Sequence, residues 1–156
     1  MLEITIPGGP ALALEHLVLD YNGTLAVDGA LLPGVAEALE ALSRHLRLRV
    51  LTADTFGRAR DNLAGLPCEL IVLDPDAQDQ AKLRHVQSLG AGRCVAVGNG
   101  RNDCLMLKAA ALGICVVQAE GAAMATLLAA DVAVPDIHSA LGLLRRPQRL
   151  VATLRT

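Results

Sequence analysis

Four short runs in this 156-residue chain hold side chains that could act on a phosphoryl group. The first is Asp20-Tyr21-Asn22-Gly23-Thr24-Leu25, which follows the apolar stretch 16–19. A carboxylate there can serve as a nucleophile, and the amides of a sharp turn at Gly23 can hold an anion. The second run is Thr52-Ala53-Asp54, whose hydroxyl and backbone amides suit phosphate oxygens. Lys82 stands alone in a helical pattern, where one ammonium could balance a phosphate and an aspartate. The fourth run, Gly98-Asn99-Gly100-Arg101-Asn102-Asp103, carries oxygen donors on a glycine-rich loop. Magnesium takes oxygen ligands and keeps several waters, so two carboxylates with carbonyls suffice. Singly, each residue has a plainer explanation: a threonine cap, a solvated lysine, or an aspartate matched to a helix dipole at Asp103. Their order and placement along the chain argue for more.

That placement depends on the elements around them. Short apolar runs predict strands over His16–Asp20, Leu48–Thr52, Leu70–Leu73, Cys94–Val97, Ile114–Val117 and Val132–Val134. Between them lie helical patterns over Pro33–Leu46, Thr55–Leu63, Ala77–Leu89, Asn102–Ala111 and, more weakly, Gly121–Ala129, with Gly90 and Gly113 as terminators. The carboxyl end adds one or two helices interrupted by Pro147. Such alternation implies a doubly wound, Rossmann-like α/β fold, with a mostly parallel sheet covered by helices on both faces. Right-handed crossovers then gather all strand carboxyl ends, and with them the four runs, on one edge. Ile4 and Ile6, a Pro7-Gly8-Gly9-Pro10 turn, and Leu12 and Leu14 suggest a short amino-terminal hairpin. No linker or repeat divides residues 1–156, so one domain is expected.

The four runs together resemble the signatures of the haloacid-dehalogenase-like superfamily, over about residues 17–130. The nearest flavour is the phosphorylation domain of P-type ATPases, with its DKTGTLT and GDGxND motifs, and the soluble P-type ATPase-like proteins. The resemblance implies that Asp20 attacks a phosphoryl group and forms an aspartyl-phosphate. It implies that Thr52, Gly23, Ala53 and the backbone at Asn22 hold phosphoryl oxygens, that Lys82 offsets negative charge, and that Tyr21 lines the entrance. Magnesium would be bound by Asp20, the Asn22 carbonyl, Asn99 and Asp103. Two departures stand out. Asn22 replaces the second aspartate that does acid–base work in most phosphatases of the superfamily, and Asn99 replaces the first aspartate of GDGxND. The site thus keeps two carboxylates where the usual one has four, which predicts weaker metal binding and slow hydrolysis of the intermediate. Superfamily members often insert a cap domain; here residues 26–32 fit only a hairpin turning at Asp28-Gly29, so no cap is expected. Two alternatives stay open: a phosphate-sensing or partner-binding domain without turnover, and ATP hydrolysis of the P-type kind. The ligand would be a phosphorylated small molecule or macromolecule, and a homo-oligomer could supply the missing lid.

Composition excludes several other classes. A net charge of −2 gives no case for nucleic acid or an anionic membrane. Tyr21 and Phe56 are the only aromatic residues, so base-stacking platforms are absent. Mean hydropathy is +0.42, yet charges break the apolar segments before they reach the roughly 18 residues a membrane span needs. The amino terminus lacks a signal-peptide pattern, which points to the cytoplasm. Cys68, Cys94, Cys104 and Cys115 form no C-x-x-C pair and read as reduced structural thiols. Arg145, Arg146, Arg149 and Arg155 read as a solvated helix face.

Overall fold

The computed structural model describes residues 1–54 and 57–156. Its strands are β1 (Leu2–Ile4), β2 (Leu12–Leu14), β3 (His16–Asp20), β4 (Ala26–Val27), β5 (Ala30–Leu31), β6 (Arg47–Thr52), β7 (Cys68–Val72), β8 (Cys94–Gly98), β9 (Leu112–Val116) and β10 (Val132–Val134). Its helices are α1 (Val35–Ser43), α2 (Arg58–Leu63), α3 (Gln78–Ser88), α4 (Cys104–Ala109), α5 (Met124–Ala129), α6 (Ile137–Arg145) and α7 (Pro147–Leu154). The start of the helix expected over residues 55–63 lies outside the described residues, as does Phe56.

Six strands form one parallel sheet in the order β10-β9-β8-β3-β6-β7. The chain begins this sheet at its middle, on β3, builds outward through β6 and β7, then returns to β8 and builds the other way. The reversal beside β3 is the topological switch point at which such sheets place their ligands. All five residues of β3 are buried, as expected for a strand covered on both faces.

Side-chain alternation sorts the sheet into two cores. Leu17, Leu19, Val50, Val95, Val97 and Ile114 face α1, α2, α6 and α7. Val18, Leu51, Ala96 and Cys115 face α3 and α4 through Val86, Met106 and Leu107. Asp20, two residues beyond Val18, therefore points to the α3–α4 side.

The amino-terminal hairpin pairs β1 with β2, and β4 pairs with β5 through Asp28 and Gly29, both at positive φ. That second hairpin is as short as residues 26–32 led one to expect. All four cysteines are free thiols, with Cys94 and Cys115 buried. Among the described residues no helix is long and apolar enough to cross a membrane.

Gly113 corrects an expectation. It does not end a helix but lies inside β9; α4 stops at Ala109, and Ala110 is already extended. A Cβ at position 113 would sit 2.5 Å from the Leu107 carbonyl oxygen, so glycine is needed for α4 to approach the strand.

Candidate active site

Asp20 ends β3 with 6% of its surface exposed. Lys82 reaches it from α3, a mostly polar helix whose only buried side chains are Lys82 and Val86, one turn apart. Lys82 thus takes a place on the sheet-facing stripe where a hydrophobic residue would be ordinary. Its ammonium lies 2.6 Å from Asp20 Oδ1 and 2.6 Å from Asp103 Oδ1, and Lys82 and Asp103 are fully buried.

Asp103 closes a short 3₁₀ turn, Arg101–Asp103, that leads into α4. Its second oxygen accepts the backbone N–H of Asn99 at 3.0 Å and of Gly100 at 2.9 Å. Both oxygens of Asp103 are therefore committed to protein donors. The residue clamps the loop after β8 and lends charge, and its Oδ1, which takes one donor, keeps a further lone pair.

The other oxygen of Asp20 faces the loop that follows. Thr24 Oγ1 stands 3.2 Å from Asp20 Oδ2 and 3.2 Å from Asn99 Oδ1. Asn99 Nδ2 donates to the Gly121 carbonyl at 3.0 Å, which turns its oxygen toward Asp20. Gly23 shapes this turn with φ +79°, and a Cβ there would lie 2.4 Å from Asn99 Nδ2. Neither a larger residue nor an ordinary φ is compatible with that contact.

Electrostatics follow from the burial. Desolvation, then the nearby Asp103 carboxylate, push the Asp20 carboxyl up to about 7 despite the opposing pull of Lys82 and Thr24. Burial works against the Lys82 ammonium, but the two carboxylates and their hydrogen bonds more than offset it, so Lys82 titrates above its ordinary value. Asp20, Asp103 and Lys82 together carry one net negative charge when all are ionised.

The remaining expected residues divide. Thr52 ends β6, buried, one residue past the Leu51 that pairs with Asp20, and its hydroxyl accepts the Asp54 N–H at 3.2 Å. Ala53 follows it half-buried and offers only backbone polar atoms. Asn22 is exposed on the loop that follows Asp20. Tyr21 does not line an entrance: it alternates away from Asp20 into the α1-side core and is 1% exposed. Its hydroxyl accepts from Asn62 Nδ2 at 2.7 Å and lies 3.3 Å from the Gly29 carbonyl, bracing the β4–β5 hairpin against α2.

Two residues escaped sequence reasoning as site members. Thr24 was visible in its motif, but its contact with both Asp20 and Asn99 was not. Gln118, just beyond β9, donates to the carbonyls of Gly23 at 2.9 Å and Thr24 at 2.7 Å. Only its position past a strand's carboxyl end could have drawn attention to it.

The donor set suits a hard divalent cation in kind. Asp20 Oδ2 and Asn99 Oδ1 converge on one hydroxyl, and both are oxygen atoms. Charge is the scarce quantity, because among the described residues no three His, Cys, Asp or Glu side chains gather as ligands. A cleft of about 320 Å³ between the ends of α1 and α6, lined by Leu2, His45 and Arg145 among others, lies at the opposite, amino-terminal edge of the sheet.

No protein-family model matches the chain. It is 52% identical over 63 residues to the uncharacterised protein MJ0073 of Methanocaldococcus jannaschii, a match spanning 40% of this chain and 68% of that protein. Among solved structures it resembles the 3-deoxy-D-manno-octulosonate 8-phosphate phosphatase of Moraxella catarrhalis, in complex with magnesium, phosphate and KDO. That likeness has a TM-score of 0.71 at 16% identity and covers 92% of this chain and 94% of the other. A Legionella pneumophila protein assigned to the HAD superfamily, subfamily III A, gives a TM-score of 0.72 at 14% identity over 91% and 87% of the two chains. The catalytic domain of the CPx-ATPase CopB-B gives 0.59 at 21% identity; 75% of this chain matches 46% of that one.

Proposed function

From a chain that has the haloacid-dehalogenase-like fold and belongs to one family with MJ0073 of Methanocaldococcus jannaschii, we infer a magnesium-dependent phosphohydrolase that works slowly through an aspartyl-phosphate at Asp20. The observation that carries this reading is the buried Lys82 ammonium, 2.6 Å from both Asp20 and Asp103 at the switch point of the sheet.

In the first step an Asp20 carboxylate oxygen bonds to phosphorus while the bond to the leaving oxygen breaks, and the departing alcohol takes its proton from water. Lys82 fixes one oxygen of Asp20 and Thr24 the other, so the carboxylate is held in one orientation before substrate arrives. The Thr52 hydroxyl and the amides of the Gly23 and Ala53 turns receive phosphoryl oxygens, and Lys82 offsets the charge that gathers on them. A magnesium ion, when bound, supplies further positive charge to the phosphoryl group. Asp20, Asn99 and the Asn22 carbonyl would hold it, with the charge of Asp103 behind them.

In the second step water attacks the aspartyl-phosphate and releases inorganic phosphate. The side chain best placed to activate that water is Asn22, exposed beside the nucleophile, and an amide cannot accept its proton. This supports slow turnover and a long-lived intermediate. The substrate is a phosphorylated small molecule or an exposed phosphate on a macromolecule, since no cap covers the site.

The test is phosphate release from a panel of phosphomonoesters, ATP included, by wild type and Asp20→Asn, each with and without magnesium. Release that needs both magnesium and Asp20 is expected. Beryllium fluoride binding without any turnover would instead indicate a phosphate-sensing domain, and equal release by Asp20→Asn would remove Asp20 from the chemistry.

A further inference from the structure

The loop between β9 and α5 carries a device that the phosphoryl chemistry above does not use. Gln118 is half-buried, and its amide is fully engaged. Nε2 donates one hydrogen to the Gly23 carbonyl at 2.9 Å and the other to the Thr24 carbonyl at 2.7 Å. Oε1 accepts the N–H of Ile137, the first residue of α6, at 3.1 Å. That N–H belongs to a helix amino terminus and has no partner within the helix. The reverse orientation of the amide would set oxygen against two carbonyls and NH₂ against an N–H, so the partners determine it.

The two carbonyls belong to consecutive peptide planes whose other ends are also fixed. Thr24 N and Leu25 N both donate to the Tyr21 carbonyl, at 3.2 and 3.0 Å. In a trans peptide the carbonyl and the following N–H point in opposite directions. Gln118 therefore pulls on one side of both planes while Tyr21, the residue next to the nucleophile, holds the other. Their orientation sets where the Thr24 side chain leaves the backbone, and the Thr24 hydroxyl is the group that meets Asp20 Oδ2.

The same segment also grips the metal-side loop. The Gly121 carbonyl accepts Asn99 Nδ2 at 3.0 Å, Ala123 N donates to the Asn99 carbonyl at 2.8 Å, and Thr126 Oγ1 donates to the Gly100 carbonyl at 2.6 Å. One stretch of chain thus registers the nucleophile loop against the Asn99–Asp103 loop.

The geometry points to Gln118 as a positioning residue for the nucleophile, acting through the Gly23 and Thr24 peptides and the Thr24 hydroxyl on Asp20. Its kinetic part rests on the phosphohydrolase reading; its structural part does not. Gln118→Glu separates the two halves of the side chain. It keeps an acceptor for Ile137 N and replaces both donors with an oxygen facing two carbonyls. Gln118→Met removes every hydrogen bond at similar volume.

The experiment compares full-length wild type and both variants by hydrogen exchange along the chain, and by kcat and KM for p-nitrophenyl phosphate with magnesium. Gln118→Glu is expected to exchange the 24–26 amides at least tenfold faster than wild type, beyond any change in amides elsewhere in the chain, and to lose about tenfold in kcat with KM within twofold. Gln118→Met should lose no more kcat than Gln118→Glu, because it removes the two donors without setting an acceptor against the Gly23 and Thr24 carbonyls. Wild-type exchange or wild-type kcat in Gln118→Glu overturns the inference, as does faster exchange spread evenly over the chain rather than concentrated at residues 24–26. If wild type turns over no ester, the phosphohydrolase reading fails, and the exchange result alone then decides whether Gln118 orders the loop.

Discussion

Replacing Lys82 by Met tests the electrostatic core of the site. The ammonium is fully buried and 2.6 Å from each of two carboxylates, so its removal leaves two like charges facing each other out of water. Breaking a buried ion pair by deleting one partner costs about 3–5 kcal/mol. For a domain of this size each kcal/mol shifts the melting temperature by about 2–4 °C, so Lys82→Met should melt roughly 10 °C lower at pH 8. The deficit depends on pH with a definite sign. Asp20 already sits at about 7 in the folded protein against 3.8 unfolded, and loss of Lys82 raises it further. A carboxyl raised on folding destabilises fully above its folded pKa, and the penalty fades as pH falls toward the unfolded value. The gap between variant and wild type should therefore shrink from pH 8 to pH 5. Adding Asp103→Asn should restore part of the loss at pH 8, because the site returns to one negative charge. Circular dichroism melts of the three proteins at both pH values suffice. A Lys82→Met melting point within about 2 °C of wild type at pH 8, or an equal deficit at both pH values, would refute the buried-charge reasoning.

Other outcomes follow from single residues. Carboxyl ¹³C NMR of metal-free protein should show one aspartate with a midpoint near neutral pH, absent in Asp20→Asn; midpoints all below 5 would contradict the burial of that group. Asn22→Asp supplies an acid–base group at an exposed position and should raise phosphate release about a hundredfold, the low end of the usual range for such catalysis; an unchanged rate counts against Asn22 as the cause of slowness. Gly23→Ala must strain a φ of +79° and displace Asn99, so it should lose about 1–3 kcal/mol in urea unfolding, and a loss below roughly 0.5 kcal/mol would mean the turn is not so constrained.

Most of the framework was legible because it is written in local pattern. Apolar runs of five or six residues bounded by helices left little choice but a parallel sheet, and the six core strands fall within a few residues of where the pattern puts them. Gly113 was misread because a glycine after a helical pattern usually ends it, and only tertiary packing against Leu107 shows its actual use. Tyr21 was misplaced for a related reason. Its neighbour in sequence is Asp20, but the side-chain alternation of β3 carries one residue past the strand end to Tyr21, so proximity in sequence meant separation in space.

What sequence could not display was how the site is held rather than what it contains. Asn99 looked like a lost carboxylate, a deficiency measured in charge. In place it is an amide with a use for its nitrogen, since Nδ2 donates to the Gly121 carbonyl while Oδ1 turns to Thr24 and Asp20. A carboxylate there would set a second acceptor against that carbonyl. The glutamine at 118 belongs to the same design, because its NH₂ faces two more carbonyls of the nucleophile loop. Both residues supply donors where the loops expose backbone oxygens, and no spacing in the chain announces them. Asn99 thus adds a hydrogen-bond donor where it adds no charge, and Lys82 completes the balance by neutralising one of the two carboxylates, Asp20 and Asp103. A site so arranged is organised before any cation or substrate enters, which suits the slow phosphoryl turnover proposed for Asp20.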